Sequence, residues 1–344
     1  MTVIAIHPRP GSFSDHWIEY GHERGIAVQQ VDCYASDVMS RLASAQALAW
    51  HWYHGSATDL LMARHVIMAA EMMGLKVFPS TATCWHFDDK VAQKYLLEAV
   101  GAPRVPTHVF YDLDTALAWI GQTTFPKVFK LRRGAGSRNV RLVRDAGEAR
   151  RLARKAFGGG FKPAGGFLAD APTRYRKARG RGDLLGVLRR LPTTLLNIYR
   201  TNAQIGRERG YVYFQEFIAG NTFDTRITVI GDRAFGFTRN VRPGDFRASG
   251  SGHINYELDR INLKCVETAF DVARKIGSQS MAFDFVKDAQ GRPLIVEVSY
   301  AYLNTAVQQC AGHWDEALRW HEGHIWPEDA IIEDLLAACG QGGA

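Results

Sequence analysis

Two acidic side chains interrupt apolar runs in the C-terminal third of the sequence. Asp284 lies within the run 281–286 and Glu297 within the run 293–298, and a polar link containing a glycine joins the runs. This pattern predicts a β-hairpin, in which antiparallel pairing brings the two carboxylates close together. Paired carboxylates repel each other unless a cation lies between them, and Mg²⁺ accepts such oxygen ligands. A solvent-exposed edge carrying two unrelated acids is the alternative for the hairpin alone.

A lysine precedes a glycine-containing loop between two further predicted strands. Lys130 ends the apolar run of 125–130, and a second run follows at 140–143. The loop between the runs includes Gly134, Ala135, Gly136 and Ser137. Glycine permits the backbone conformations through which amide N–H groups enclose a phosphate. Because no GK[ST] and no helix follow the glycines, the P-loop and Rossmann fingerprints are absent, and an ordinary hairpin turn is the alternative.

Further charged residues lie on the strands predicted between these two places. Glu216 ends the aromatic run 211–218, and Asp224 and Arg226 lie on a strand at 221–230. Arginine recurs at Arg239, Arg242 and Arg247, the last two within or beside a loop of small residues. Guanidinium groups bind phosphates and carboxylates bidentately, so these arginines predict an anion clamp. Structural salt bridges are the alternative for each one.

The elements that must position these residues follow two patterns. Apolar runs at 3–6, 26–31 and 75–78 alternate with helical patterns around 35–50 and 57–73, which predicts an N-terminal α/β domain. After a loop at 81–89, Asp88 or Asp89 is placed to cap a helix from about Lys90 to Val100.

Histidines at two other places do not have metal-site spacing. His51 and His54 in HWYH lack a third ligand nearby, so we expect a buried or capping role. The tail segment 312–329 contains three histidines and three tryptophans without a carboxylate at zinc-protease spacing. We expect this segment to pack as a cap over the C-terminal lobe.

Length and composition limit the class of protein. A chain of 344 residues with 46% hydrophobic residues predicts two or three lobes. The apolar runs are too short or too charged to span a membrane, and no signal peptide is recognised at the start of the sequence. The five cysteines are widely spaced without a CxxC, which argues against a disulfide framework and a zinc site. We therefore expect a reduced, cytoplasmic protein.

Positive charge is concentrated in one segment of the chain. The net charge is +7, and residues 150–181 contain ten Lys and Arg residues against the single acid Asp170. Such a segment is typical of a surface that binds nucleic acid, an anionic sugar polymer or nucleotide phosphates, and also of a solvated face. No RNA- or DNA-recognition motif accompanies it, so we do not expect nucleic-acid binding.

In their order along the chain these pieces resemble the ATP-grasp superfamily, with the RimK-like and glutathione synthetase-like ligases nearest in pattern. The resemblance covers residues 78–299. The motifs that carry it are, in order, DDK, a lysine strand before GAGS, QEFI, FDTRI, GDFR, FDF and EVS. It implies an α/β (α+β) ATP-grasp fold of three lobes, with ATP between the last two. These lobes are an α/β domain over 1–82, a central lid subdomain over 83–210 with a basic insertion at 158–210, and an antiparallel C-terminal lobe over 211–344.

The resemblance also implies a role for each matching residue. Those implied for ATP are Lys90 and Lys130 at the phosphates, Gly134 to Ser137 as the lid, Gln215, Glu216, Phe217 and Ile218 at the adenine, and Asp224 at the ribose. Those implied for catalysis are Arg226, Arg239 and Arg247, facing the transferred phosphate or the acceptor carboxylate. Those implied for magnesium are Asp284, Glu297 and Ser299. The family pattern has asparagine where Ser299 stands, and Asn304 is a second candidate for that place.

The implied activity is an ATP- and Mg²⁺-dependent carboxylate–amine ligase that forms an amide through an acyl phosphate, with Mn²⁺ as an alternative ion. The implied partners are an amine donor and an acceptor, which is a small molecule, a peptide or an anionic glycan of surface polysaccharide or natural-product biosynthesis. A homodimer is one assembly left open. The alternative functions are a phosphotransferase that forms no amide and a non-catalytic nucleotide-binding module.

Overall fold

The computed structural model describes residues 2–134, 139–162, 206–242, 245–247 and 253–340. Most of the basic segment, for which we gave an anionic sugar polymer or nucleotide phosphates as alternative ligands, lies outside these residues. In the parts of the chain that are described, no helix has the length and apolar character needed to cross a membrane. The described residues form three β-sheets, which we call the first, central and third sheets.

The first sheet is parallel, with the strand order β2-β1-β3-β4. Its strands are β1 (Val3–Ile6), β2 (Ala27–Gln30), β3 (Ala47–Ala49) and β4 (Lys76–Phe78). The helices of this part are α1 (Phe13–Glu23), α2 (Val38–Leu42), α3 (Ala57–Met72) and α4 (Thr81–Cys84). The alternation of strands and helices predicted from the sequence is therefore present.

The region 35–50 differs from the prediction of a helix. It contains the short helix α2 and then β3, which pairs with β1 on one side and β4 on the other. All three residues of β3 are buried. A strand buried on both faces of a parallel sheet has no apolar–polar alternation, so its pattern does not distinguish it from a helix. The predicted loop at 81–89 likewise begins with the short helix α4.

Helix α5 (Lys90–Ala99) is capped as the sequence predicts. The Asp89 side chain accepts hydrogen bonds from the backbone N–H groups of Val91 and Ala92. The helix packs against the third sheet, because Leu97 shares a core with Phe283 and other residues of that sheet. This packing holds the first residue of α5, Lys90, beside the third sheet.

The central sheet is antiparallel, with the strand order β5-β8-β6-β7. Its strands are β5 (Thr107–Phe110), β6 (Lys127–Lys130), β7 (Val140–Val143) and β8 (Val212–Glu216), and the helices packed on it are α6 (Leu113–Gln122) and α7 (Ala146–Phe157). We expected residues from 211 onward to belong to the C-terminal lobe. Strand β8 instead pairs with β5 and β6, so the central sheet extends to Glu216.

The third sheet has the strand order β13-β12-β9-β10-β14-β15, with β11 paired to β10. Its strands are β9 (Phe223–Ile230), β10 (Arg233–Asn240), β11 (Ile254–Asn255), β12 (Ser280–Lys287), β13 (Pro293–Ser299), β14 (Gly312–Trp314) and β15 (Trp320–Glu322). The 3₁₀ helix Leu258–Arg260 precedes α8 (Leu263–Ile276), which packs against this sheet. The predicted hairpin at 281–298 is β12 and β13.

The C-terminal segment divides between two parts of the molecule. After α9 (Asn304–Gln308), strands β14 and β15 extend the third sheet. Helix α10 (Pro327–Gly340) packs instead against the first sheet, since Ile331 and Leu335 share a core with Trp17 and Phe78. We expected the segment 312–329 to pack as a cap over the C-terminal lobe; its strands β14 and β15 instead join the edge of the third sheet, and its last residues begin α10.

Candidate active site

A cavity of about 1010 Å³ lies where the three sheets meet. Its wall receives Arg9 from the α/β domain built on the first sheet, which we call the first domain. Lys130 and Glu216 come from the central sheet, and Asp284 and Glu297 come from the third sheet. The predicted site residues on this wall are Lys90, Lys130, Gly134, Gln215, Glu216, Phe217, Ile218, Asp224, Arg226, Arg247, Asp284, Glu297 and Ser299. Residues that are distant in sequence are thus brought to one enclosed space.

The two acids of the hairpin are direct partners across the strands. Asp284 on β12 lies opposite Glu297 on β13, and the register shifts immediately after Asp284. The Asp284 side chain is nearly buried, at 12% exposure, whereas that of Glu297 is 37% exposed. The pairing predicted from the sequence is confirmed, and both carboxylates reach the cavity.

Two arginines hold the buried acid. Arg226 lies opposite Asp284 on β9 and donates to both of its carboxylate oxygens, at 2.6 and 2.8 Å. Arg239 on β10 lies 2.8 Å from Asp284 and also donates to both oxygens of Asp224, at 2.8 and 2.5 Å. We call these four residues the acid–arginine network.

The network changes the pKa values of its acids in opposite directions. Burial acts to raise the pKa of Asp284, but the positive charges of Arg226 and Arg239 outweigh it and hold that pKa below its usual range. Burial dominates at Asp224, whose pKa is raised despite Arg239. Asp284 is therefore ionised at neutral pH and held by two cations. The roles that we expected for Asp224 at the ribose and for Arg226 and Arg239 at phosphate require these contacts to be exchanged for contacts with substrate.

Two lysines lie near the same acids. Lys90 Nζ lies 3.2 Å from Glu297 Oε1 and donates to the Gly134 carbonyl at 2.9 Å. Burial acts to lower the pKa of Lys90, but Glu297 and Asp88 outweigh it and raise that pKa. Lys130 is as deeply buried, and burial together with the charge of Lys90 outweighs nearby acids and lowers its pKa to about 8.

The end of β8 carries the residues that we expected to form the adenine hinge. Glu216 lies opposite Lys127 on β6, and the Lys127 ammonium donates to both of its oxygens at 2.6 and 2.7 Å. Phe217 and Ile218 continue along the cavity wall. Gln215 donates instead to Thr107 Oγ1 at 3.1 Å, which makes it part of the packing of the central sheet.

Of the glycine loop, Gly134 is described, and Ala135, Gly136 and Ser137 lie outside the described residues. The Gly134 N–H donates to Asp88 Oδ1 at 3.1 Å. Asp88 itself has a φ of 53°. Arg247 lines the cavity, and its guanidinium donates to Asp245 at 2.7 to 3.0 Å.

The donor atoms at the hairpin suit Mg²⁺. It takes one or two carboxylates and leaves its other positions to water and substrate phosphates. Ser299 lies two residues after Glu297 on β13 and therefore projects from the same face of the strand. Its hydroxyl donates to the Ala301 carbonyl at 2.7 Å. Among the described residues there is no group of three or more His, Cys, Asp or Glu side chains placed to hold a metal.

The protein is similar to known proteins in its three-dimensional structure. No protein-family model matches the chain, and no curated protein matches it by sequence. A RimK domain ATP-grasp protein of Sphaerobacter thermophilus superposes with a TM-score of 0.53 at 15% identity, covering 98% of this chain and 100% of that one. The D-alanine–D-alanine ligase of Bacillus anthracis superposes at 0.55 and 14% identity over 100% of both chains. The chain has the ATP-grasp fold.

A third solved structure extends the comparison to a larger enzyme. The biotin carboxylase domain of the Hydrogenobacter thermophilus 2-oxoglutarate carboxylase, in complex with ADP, its magnesium salt and bicarbonate, has a TM-score of 0.56 at 15% identity. The comparison covers 96% of this chain and 68% of that one. TM-scores this similar assign the ATP-grasp fold without selecting one branch of ligases, and the sequence prediction of this fold is confirmed.

The cavity residues that sequence reasoning did not select come mainly from the first domain. Arg9 and the segment His51–His54 line the cavity, although we expected only a buried or capping role for the histidines. These residues could have been selected from the sequence because they follow β1 and β3, and ligands commonly bind at the carboxyl ends of parallel strands. Lys127 was also missed, although a lysine within a buried strand requires a partner such as Glu216.

Asn304, the second candidate for the magnesium site, has a different role. Its side-chain amide donates to the Glu328 carboxylate of α10. Glu328 is fully buried, and its backbone carbonyl accepts from Trp17 Nε1 at 3.1 Å. Asn304 therefore joins α9 to α10, and Ser299 is the better placed of the two at the cavity.

Proposed function

We propose that the chain is an ATP-dependent carboxylate–amine ligase that uses Mg²⁺. The observation that carries this proposal is the meeting of Lys90 and Lys130 with the paired acids Asp284 and Glu297 in one cavity of an ATP-grasp fold. The cavity is as large as the larger sites that proteins use for cofactors and small ligands. The third compared structure, which contains ADP and magnesium, supports the choice of nucleotide and ion.

Each wall of the cavity has its own part in this proposal. Lys90 and Lys130 neutralise the ATP phosphates, the hinge after Glu216 holds the adenine, and Asp224 reaches the ribose hydroxyls. Asp284, Glu297 and Ser299 would hold Mg²⁺, or Mn²⁺ as the alternative. The ion, when bound, would neutralise charge on the phosphate that is transferred.

The proposed reaction has two steps. An oxygen of the acceptor carboxylate attacks the γ-phosphorus of ATP, the bond to the β,γ-bridging oxygen breaks, and ADP leaves with that electron pair. An amine nitrogen then attacks the acyl carbon, phosphate leaves, and the amine proton passes to solvent. The chain supplies position and positive charge rather than a nucleophile, and Arg226, Arg239 and Arg247 are the proposed guanidinium contacts to the developing negative charge.

The proposed mechanism requires the ion pairs that hold Asp284 to be exchanged for contacts with the substrate and the metal ion. Arg226 and Arg239 hold Asp284, and Arg226, which lines the cavity, can donate instead to a phosphoryl or carboxylate oxygen. If a cation takes over Asp284, the Arg226 guanidinium becomes available for that contact, while Arg239 keeps its hydrogen bonds to Asp224.

The activity can be tested by incubating the purified protein with Mg-ATP and a panel of amino acids, dicarboxylic acids and uronic acids, each with and without an amine. A ligase yields ADP, free phosphate and an amide, whereas a phosphotransferase yields a phosphorylated product without free phosphate. Glu297→Gln should abolish turnover because it removes a carboxylate of the hairpin pair. Full turnover by this variant would refute the proposed site.

We expected the acceptor to be an acidic sugar, a peptide or a natural-product precursor. Only the charge of the basic segment supports this expectation. The uronic acids in the panel test that part of the expectation directly. Neutral substitutions of Arg174, Arg176, Lys177 and Arg179 should weaken acceptor binding and leave Mg-ATP binding unchanged.

A further inference from the structure

The loops at the carboxyl ends of strands β1 and β3 lie at the cavity. Strand β2 pairs with one side of β1 and β3 with the other, so the direction of chain winding reverses at β1. In parallel sheets flanked by helices, ligands bind at the carboxyl ends of the strands beside such a reversal. The loops that follow β1 and β3 there contribute Arg9 and His51–His54 to the cavity wall.

Arg9 is held in place by neutral groups. Its Nε and Nη2 atoms donate to the His51 carbonyl oxygen at 3.4 and 3.1 Å, and Nη2 lies 3.4 Å from His51 Nδ1. Its Cζ atom lies 5.1 Å from the centre of the Tyr53 ring. Within the described ranges, no carboxylate forms an ion pair with Arg9. The guanidinium is therefore oriented and half-buried, and it has no carboxylate among the described residues within ion-pair distance.

His51 does not change this charge balance. Its ring is buried and stacks on Phe13 with centroids 4.0 Å apart, and its Nδ1 accepts from the Phe13 N–H at 3.4 Å. Burial, followed by the positive charge of Arg9, lowers the pKa of His51 to about 3, so the imidazole is neutral at physiological pH. A fixed guanidinium without a counter-ion on a cavity wall favours an anionic ligand.

The same part of the wall is joined directly to the acidic hairpin. Beyond Glu297 and Ser299, strand β13 leads to Tyr300, which is buried in the core of the first domain and donates to the Trp52 carbonyl at 2.9 Å. Tyr302 and Leu303 then return to the cavity wall. The strand that carries Glu297 and the loop that carries His51 are therefore fixed to each other.

We infer that Arg9 binds a carboxylate of the substrate that is not consumed in the reaction, so that the substrate class is a small dicarboxylic acid, with or without an α-amino group. One guanidinium matches one monoanionic carboxylate in charge and in bidentate geometry. This inference rests on the proposed function, since it assigns the reacting group to the Glu297 end of the cavity and the second carboxylate to Arg9.

Binding of defined acids to the protein saturated with MgADP tests the assignment without turnover. The probes are succinate, L-aspartate and L-glutamate, each paired with the amides in which one carboxylate is replaced, and the measurement is calorimetric affinity. We expect at least one acid to bind the wild type and its matching amide to bind about 10- to 100-fold more weakly, because a charge-assisted contact is lost. Arg9→Gln should weaken the acid by the same factor and no longer distinguish it from the amide.

Arg9→Lys keeps the charge and should retain part of this discrimination, which separates loss of a charge contact from misfolding. Arg24→Gln is the matched control, since Arg24 is exposed at the end of α1, and it should behave as the wild type. Unchanged acid binding by Arg9→Gln, equal wild-type affinity for acid and amide, or no binding of any probe would each overturn the inference. The proposed function fails separately, if the wild type binds an acid and still forms neither phosphate nor amide.

Discussion

At the residue scale, the acids of the hairpin differ in what surrounds them. Asp284 is nearly buried and contacts two guanidinium groups, whereas Glu297 is partly exposed and contacts one ammonium group. Removing one partner of a buried ion pair leaves the remaining charge without compensation, which costs more than the pair contributes. The same chemical change should therefore have unequal effects at the two positions.

Asp284→Asn should lower the free energy of unfolding by about 3–5 kcal/mol, because Arg226 and Arg239 lose a buried carboxylate. Glu297→Gln is the comparison and should lower that free energy by less, about 1–3 kcal/mol, because buried Lys90 loses one partner but keeps the Gly134 carbonyl and the nearby charge of Asp88. Urea unfolding of both variants measures the difference. Equal destabilisation would mean that the acid–arginine network does not hold Asp284 as described.

Titration of the Lys130 ammonium should make nucleotide affinity depend on pH. Its pKa is lowered to about 8, so the ammonium is charged below that pH and becomes neutral above it. If it binds the ATP phosphates, nucleotide affinity should be constant below pH 8 and should fall by up to about ten-fold per pH unit above it. Lys90, whose pKa is raised, does not contribute in this range.

Equilibrium titration of MgADP between pH 6.5 and 9.5 measures this dependence. Lys130→Met is the control, since it should bind more weakly at every pH and show no decline centred near pH 8. The same decline in this variant would assign the titration to another group.

At the element scale, strand register decides which side chains meet. Strands β13, β12 and β9 place Glu297, Asp284 and Arg226 in one row across the third sheet. Asp224 and Arg226, two residues apart on β9, project from the same face. A shift of one residue in either pairing would move these charges to the opposite face and dismantle the site.

Helix α10 joins the C-terminal end of the described chain to the first domain. Leu335→Ala should lower the free energy of unfolding by about 2–5 kcal/mol, because this side chain is 3% exposed in the shared core. Leu61→Ala on α3 is the matched control and should have little effect, since Leu61 is 76% exposed. Thermal and urea unfolding measure both. A small effect at Leu335 would indicate that α10 is not packed in solution as described.

At the scale of the whole molecule, two buried imidazoles make stability depend on pH. Burial followed by charge from Arg9 lowers the pKa of His51 to about 3, and burial followed by charge from Arg64 lowers that of His86 to about 4. Both rings are neutral in the folded state, while the unfolded chain takes up protons below pH 6.5. Their contribution to stability is therefore complete above pH 6.5 and is lost as the pH falls towards 4 and 3.

For His86 alone, the free energy of unfolding should fall by about 2 kcal/mol between pH 7.5 and pH 5. Urea unfolding across this range measures the change. His86→Phe removes the titrating group and should flatten that part of the curve. An unchanged pH profile in this variant would mean that His86 is not buried as a neutral ring.

The sequence alone determined the local elements and the order of chemical groups. The hairpin with Asp284 and Glu297, the cap at Asp89 and the lysine strand before Gly134 are all encoded by short-range patterns, and the fold was predicted because their order resembles that of the ATP-grasp superfamily. Such patterns depend on neighbours within a few residues, so no tertiary information was needed.

Only the tertiary structure decided which charges meet. The pairing of Arg226 with Asp284 depends on a register between strands 58 residues apart. The contacts of Arg9 with His51 and of α10 with the first sheet also depend on chain segments that meet after folding. An arginine has the same local pattern whether it holds a structural acid or awaits a substrate, and burial and partners distinguish the two.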